Sequence, residues 1–130
     1  MSLNDPLAAV LSKIRNAESI GKNEIVTSFN SKLIKNILNL LNTFSFIGKI
    51  EEIETAQGQD LKISLLGKIN KIGVIKPRYS IKLSDYEKFE KRFLPAKDFG
   101  VLIISTPKGI MSHNEAKEKK LGGRLLVFCY

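Results

Sequence analysis

The chain has 130 residues, the size of one ordinary domain or of two very small ones. Its 21 Lys and Arg residues exceed its 13 Asp and Glu residues, giving a net charge of +8, which favours a polyanionic partner. Apolar residues make up 43% of the chain, enough to build a core, so wholesale disorder is excluded. No apolar stretch could span a bilayer and no secretory signal is visible. A single cysteine, Cys129, cannot form an internal disulfide, so we expect a cytoplasmic protein without a membrane partner.

The positive charge is concentrated in the second half of the chain. Residues 1–67 carry seven basic and seven acidic side chains, whereas residues 68–130 carry 14 basic and six acidic ones. The whole excess of +8 therefore belongs to residues 68–130. This difference predicts two modules with different tasks, one over residues 1–67 and a basic one over residues 68–130.

The sequence begins with a predicted helix. Asp5 is a suitable N-cap, Pro6 suits the first helical position, and Gly21 is placed to end the helix. Apolar residues recur between these ends at helical spacing. They are Leu7, Val10, Leu11, Ile14 and Ala17.

The rest of the first half is predicted to continue as strand, helix, strand and strand. A short strand over residues 24–27 precedes Ser31, which is positioned to cap a second, strongly apolar helix. A strand containing Ile50 and Ile53 then returns through a hairpin loop at residues 56–59. The first half is thus an α-β-α-β-β module, and it lacks a Gly-rich phosphate-binding motif.

The second half is predicted to be mostly β with short helices, so the fold class is α+β. A Gly-interrupted basic stretch over residues 67–73 marks the boundary, followed by a basic extended segment over residues 74–79. Ser84 or Asp85 is placed to cap a short charged helix that ends at Pro95.

Two predicted strands flank a last helix. Residues 99–104 form a continuous apolar run of strand length, and residues 125–130 form the final strand. Ser112 and Glu115 form a capping box for the helix between them.

A polar loop is predicted directly after the apolar strand at residues 99–104. Ser105 and Thr106 offer hydroxyls that can donate to and accept from bases, ribose or phosphate, and Lys108 adds a positive charge. Gly109 permits close backbone approach. An ordinary strand-to-turn sequence is the alternative interpretation. Gly122 and Gly123 are equally ambiguous, since they can end a helix or allow a ligand to approach the backbone.

Catalytic and metal-binding interpretations find little support. His113, the one histidine, follows a predicted N-cap and is expected to be an exposed surface residue rather than a base. Cys129 lies in an apolar terminal strand, which favours a small buried hydrophobic residue over a nucleophile. No ligand spacing suits zinc or calcium. Because neither a catalytic residue nor a metal site is recognisable, we expect no enzyme, no cofactor and no small-molecule substrate.

Several segments resemble one family, that of small-subunit ribosomal protein S-eight (S8). The resemblance covers essentially the whole chain in order. Its strongest segments read FLPA at 93–96, FGVLIISTPKG at 99–109, EAK at 115–117 and LGGRLL at 121–126. DPLA at 5–8, SKLI at 31–34 and GKINK at 67–71 are also similar to the family, and KPR at 76–78 resembles its archaeal and eukaryotic branch, called S-fifteen-a in eukaryotes.

The resemblance implies a protein that binds the central domain of small-subunit ribosomal RNA during assembly, next to other small-subunit proteins in the ribosome. It implies an RNA-binding loop supported by the Gly-Gly pair. The predicted RNA-binding residues are Ser105, Thr106, Lys108, Gly109, Gly122 and Gly123, together with Lys76 and Arg78 of the basic segment. Pro107 departs from the Ser or Thr usual in the family, and it lacks both a hydroxyl and a backbone N–H.

Three functional hypotheses follow. The first is a structural ribosomal protein that docks through charge and reads the shape of an irregular RNA helix. The second is a regulator that binds its own messenger RNA through the same surface. The third, a small enzyme acting on RNA or a nucleotide, would require a pocket with converging acid and base groups.

Overall fold

The computed structural model describes residues 6–28, 31–56, 58–96 and 99–130. The chain divides into two compact units, residues 1–70 and 71–130. Both units combine helices with an antiparallel sheet, which confirms the predicted α+β fold class. Asp5, the predicted N-cap, and Gln57, in the predicted hairpin loop, lie outside the described residues.

The first unit follows the predicted α-β-α-β-β order. Its elements are α1 (Pro6–Ser19), β1 (Glu24–Thr27), α2 (Lys32–Thr43), β2 (Ile47–Thr55) and β3 (Gly58–Leu65). β3 is the central strand and pairs antiparallel with both β1 and β2.

Local sequence signals explain both helices of this unit. The apolar stripe predicted for α1 is buried. After α1, Gly21 takes a φ of 77°, and the N–H of Lys22 donates to the Ala17 carbonyl, which closes the helix end. The Ser31 hydroxyl accepts the Ile34 N–H at 3.2 Å, so the predicted cap of α2 is confirmed.

Glu18 of α1 holds the segment that follows β3. Its carboxylate accepts the N–H of Gly67 at 3.2 Å and the N–H of Ile69 at 3.0 Å. Hydrogen bonds to a charged acceptor are stronger than neutral ones. Residues 67–69 are therefore attached to the first unit.

The second unit is built on one antiparallel sheet. Its elements are β4 (Ile72–Val74), β5 (Ser80–Ile81), a 3₁₀ turn (Leu83–Asp85), α3 (Tyr86–Phe93), β6 (Val101–Thr106), β7 (Gly109–Ser112), α4 (His113–Glu118) and β8 (Gly123–Cys129). The strand order is β4-β8-β6-β7, and β5 also pairs with β8. Both β4 and β5 therefore lie on the side of β8 away from β6.

The core of this unit forms on one side of β6 and β8. Leu102, Ile104 and Leu125 pack with Tyr86 and Phe89 of α3. The alternate residues of β6 are buried as well, which explains why the apolar run has no polar position. Cys129 is fully buried, as predicted.

The expectation that His113 is exposed is wrong. Its side chain is 1% exposed, because α4 packs on β6 and His113 is the first residue of that helix. Nδ1 accepts the N–H of Leu102 at 3.0 Å, and Nε2 lies 3.0 Å from a carboxylate oxygen of Glu90. Since Nδ1 is an acceptor, the ring proton is on Nε2 and donates to Glu90. His113 is a structural link between β6, α4 and α3.

Candidate nucleic-acid interface

The predicted polar loop is a tight β-hairpin. Thr106 pairs with Gly109, so Ser105 and Thr106 belong to β6, and only Pro107 and Lys108 form the turn. Gly109, at a φ of 121°, already belongs to β7, a strand absent from the sequence-based prediction. Two-residue hairpins are rigid connections, so the Lys108 side chain projects from a fixed turn.

Thr106 holds this turn together. Its side chain is 9% exposed. The hydroxyl donates to the Gly109 carbonyl at 2.7 Å and accepts the Lys108 N–H at 3.2 Å. Its donor and one acceptor site are therefore used within the hairpin, whereas the side chains of Ser105 and Lys108 are exposed.

The Gly122–Gly123 pair serves the approach of neighbouring strands. A Cβ atom on Gly123 would lie 2.1 Å from the Ser105 carbonyl oxygen, and one on Gly122 would lie 2.6 Å from the Ile81 carbonyl oxygen. Real Cβ atoms do not come this close, so only glycine fits at either position. The pair lets β5 and β6 close on the start of β8.

The helix-ending role proposed for the two glycines is wrong. α4 ends earlier, where Lys120 adopts a φ of 56°. The N–H of Leu121 donates to the Ala116 carbonyl at 2.9 Å, and the N–H of Lys120 donates to the Lys117 carbonyl at 3.1 Å. These two bonds form a Schellman motif with Lys120 in the position that glycine usually occupies.

The pairing of β8 with its neighbouring strands places a further cation beside Ser105. Arg124 of β8 pairs with Ser105 of β6 on one side and with Ser80 of β5 on the other. All three side chains are exposed. Paired residues project from the same face of a sheet, so the three form a polar row across three strands. We call this row, together with the Lys108 turn, the hairpin surface.

Sequence reasoning missed Arg124 because a register cannot be read from one strand. The available signal was its position directly after the two glycines, in a strand whose other residues are apolar. Lys76 and Arg78 are exposed too, but they lie in the connection from β4 to β5, across β8 from Ser105.

Glu90 and Asp85 of this unit are engaged away from the hairpin surface. Glu90 contacts His113 and Lys117, and the Asp85 carboxylate accepts the Lys82 N–H at 3.0 Å. Among the residues that the structure describes, Lys108 and Arg124 form no ion pair with a carboxylate. Their charge is therefore available to an anionic partner.

Neither unit offers a metal site or a membrane-spanning helix among its described residues. Within the described ranges, no group of His, Cys, Asp and Glu side chains is arranged to hold a metal ion. None of the helices described is long and apolar enough to cross a membrane.

One comparison with known proteins identifies the family. The family model of ribosomal protein S8 matches residues 5–130, nearly the whole chain. The chain belongs to the ribosomal protein S8 family. Membership places it among the RNA-binding structural proteins of the small ribosomal subunit, and thus in translation.

Proposed function

We propose that this protein binds the central domain of small-subunit ribosomal RNA through residues 71–130 and supports subunit assembly without catalysis. Family membership supports ribosomal RNA as the partner, with neighbouring small-subunit proteins around it. The observation that carries the proposal is the hairpin surface, in which Arg124 lies between Ser80 and Ser105.

The geometry suits the minor groove of an A-form helix. That groove is wide and shallow and displays ribose hydroxyls and base edges. A flat row of strand residues can lie against such a surface. Arg124 and Lys108 would neutralise phosphates, and the hydroxyls of Ser80 and Ser105 would donate to and accept from ribose or base groups.

The role of Thr106 in this proposal is to shape the hairpin. Its hydroxyl is committed to Gly109 and to the Lys108 N–H. Pro107 supplies neither a hydroxyl nor an N–H. Direct polar contacts from this part of the surface are therefore assigned to Ser105, Lys108 and Arg124, while Gly122 and Gly123 keep the strands together.

Titration of the full-length protein onto a fluorescent central-domain RNA at several salt concentrations tests the proposal. Lys108→Ala and Arg124→Gln should each weaken binding by roughly 3- to 10-fold and lower the salt slope by about one. Lys62→Gln is the matched control, because Lys62 lies in the first unit and pairs with Glu24 at 3.4 Å. It should leave both quantities near the wild-type values.

Two outcomes would contradict the proposal. If Lys62→Gln weakens binding as much as Arg124→Gln, affinity is not concentrated in residues 71–130. If the wild-type protein binds central-domain RNA no better than an unrelated duplex, the assigned partner is wrong. Tighter binding to its own messenger RNA would favour the regulatory alternative.

A further inference from the structure

Helix α3 separates its charges onto different sides. Glu90 binds Lys117 at 2.7 Å and also contacts His113, while Glu87 pairs with Lys91 at 3.5 Å. Both carboxylates of the helix are therefore used, and Lys91 has an acidic partner one turn away.

Two cations of α3 are held against aromatic rings. The Arg92 guanidinium lies 5.0 Å from the ring centre of Tyr79 and 5.4 Å from that of Phe93, and its Nη2 donates to the Tyr79 hydroxyl at 3.1 Å. One helical turn earlier, the Lys88 ammonium lies 5.5 Å from the ring centre of Phe89. Both cationic side chains are exposed.

The two rings fix Arg92 without neutralising it. A cation over an aromatic face is attracted electrostatically, and the bond to Tyr79 sets the plane of the guanidinium. Arginine has five N–H donors, so the remaining ones stay directed to solvent in a fixed fork that matches a phosphate. The described residues provide Arg92 with no carboxylate partner.

This cluster follows the hairpin surface along the chain, but Tyr79 packs on the face of the sheet that carries α3, whereas Ser80 and Arg124 are exposed on the opposite face. Tyr79 directly precedes Ser80, and its carbonyl accepts the Leu125 N–H at 3.0 Å. Ser80 in turn pairs with Arg124. Lys76 and Arg78 lie in the connection from β4 to β5, directly before Tyr79, on the side of β8 away from β6.

We propose that Tyr79, Lys88 and Arg92 form a second RNA-backbone site, in which the Arg92 fork binds a phosphodiester. The proposal rests on the proposed function, since it extends the same interface around the β5 side of the sheet. A nucleic acid fits better than a protein partner, because the guanidinium covers the rings and leaves a cationic rather than an apolar surface.

The test compares two variants of α3 in the full-length protein with the same fluorescent RNA. Arg92→Gln and Lys91→Gln each remove one positive charge from adjacent positions of one helix. Arg92→Gln should weaken binding by roughly 3- to 10-fold and lower the salt slope by about one, while Lys91→Gln should bind like the wild type. Arg92→Lys should keep the salt slope and still lose affinity, because it keeps the charge and loses the fork.

Lys88→Gln keeps the proposal testable if Arg92→Gln lowers the unfolding temperature. Lys88 contacts one ring only, and its variant should weaken binding in the same direction with no change in unfolding temperature. Equal affinities for Arg92→Gln, Lys88→Gln and Lys91→Gln would overturn the second site. So would normal binding to naked RNA combined with poor incorporation into subunits, which would indicate a protein contact.

The same measurements distinguish a failure of the proposed function from a failure of the second site. If the wild-type protein does not bind the RNA, the proposed function fails. If the wild-type protein binds and Lys108→Ala weakens it, but Arg92→Gln matches Lys91→Gln, only the second site fails.

Discussion

The two units differ in how far their charged side chains are paired with opposite charges. In the first unit, basic and acidic residues pair with each other: Lys62 with Glu24 at 3.4 Å and Lys35 with Glu52 between neighbouring elements, and Lys49 with Glu51 at 2.9 Å within β2. In the second unit, Glu87, Glu90 and Glu115 pair with side chains of α3 and α4 or of the residue that follows α4, while Lys108, Arg124, Lys88 and Arg92 are exposed without a carboxylate partner among the described residues.

Placing the boundary at 70/71 instead of 67/68 transfers only the charge of Lys68, so the contrast does not depend on the boundary. Both units bury apolar residues behind a sheet, but the second carries a net charge of +7 against +1 for the first, and so offers far more charge to a polyanion. We therefore expect substitutions around the hairpin surface of the second unit to have larger effects on stability and RNA binding than matched substitutions in the first unit.

The largest effect is expected for Gly123→Ala. A Cβ atom 2.1 Å from the Ser105 carbonyl oxygen would force β6 and β8 apart, costing about 3 kcal/mol or more of unfolding free energy. Gly21→Ala in the first unit is the control. Gly21 has a φ of 77° but open space around its Cβ position, so we expect a loss of about 1–2 kcal/mol. Urea unfolding measures both, and equal losses would refute the steric role of Gly123.

The next largest effect is expected for His113→Ala. The change leaves a cavity and removes the acceptor for the Leu102 N–H, at a cost of about 2–4 kcal/mol. Glu51→Gln in the first unit removes an exposed ion pair with Lys49 and should leave the urea midpoint unchanged. A wild-type midpoint for His113→Ala would show that the imidazole does not support the sheet.

Thr106→Val should cost about 1–2 kcal/mol of unfolding free energy, because it removes the hydroxyl that accepts the Lys108 N–H and donates to the Gly109 carbonyl. Thr106→Ser should restore most of the loss. The control, Thr43→Val, removes an exposed hydroxyl that donates to the Asn39 carbonyl, and we expect at most about 0.5 kcal/mol. If both valine variants behave alike, the Thr106 hydroxyl does not hold the turn.

The smallest effect is expected for Ser105→Ala, and on specificity rather than stability. A neutral hydroxyl releases no counterions, so the salt slope should stay constant while affinity for the cognate RNA falls by about 0.5–1.5 kcal/mol. Affinity for a regular duplex should not change. Ser64→Ala, on β3 in register with Glu24, should affect neither RNA. Equal losses on both RNAs would remove Ser105 from the site.

Local signals were sufficient for much of the fold. The stripe of α1, the Ser31 cap of α2 and the strand at 24–27 depend on residues close in sequence, so their physics is visible in the sequence. β7 was missed because Gly109 and its neighbours were interpreted as a loop. Its strand character comes from pairing with β6, which is a tertiary contact.

The residues of the candidate site also divide into those that local sequence indicates and those that only the tertiary structure shows. Ser105 and Lys108 could be selected from their chemistry and from the family resemblance, whereas Arg124 became a candidate only through its register with Ser105. The local bonds of Thr106 were equally hidden, because a hydroxyl at a strand end can face a ligand or its own turn with the same sequence around it.

By itself, the sequence determined the helix ends at Gly21 and Ser31, the apolar strand of the second unit and the surplus of positive charge after residue 67. These depend on composition, spacing and backbone preferences within a few residues. Only the tertiary structure decided that His113 is buried, that Gly123 meets the Ser105 carbonyl, and that Arg92 of α3 lies over the Tyr79 ring. Each of these depends on which distant segments come within a few ångströms of one another, and that distance is set by the packing of the whole unit.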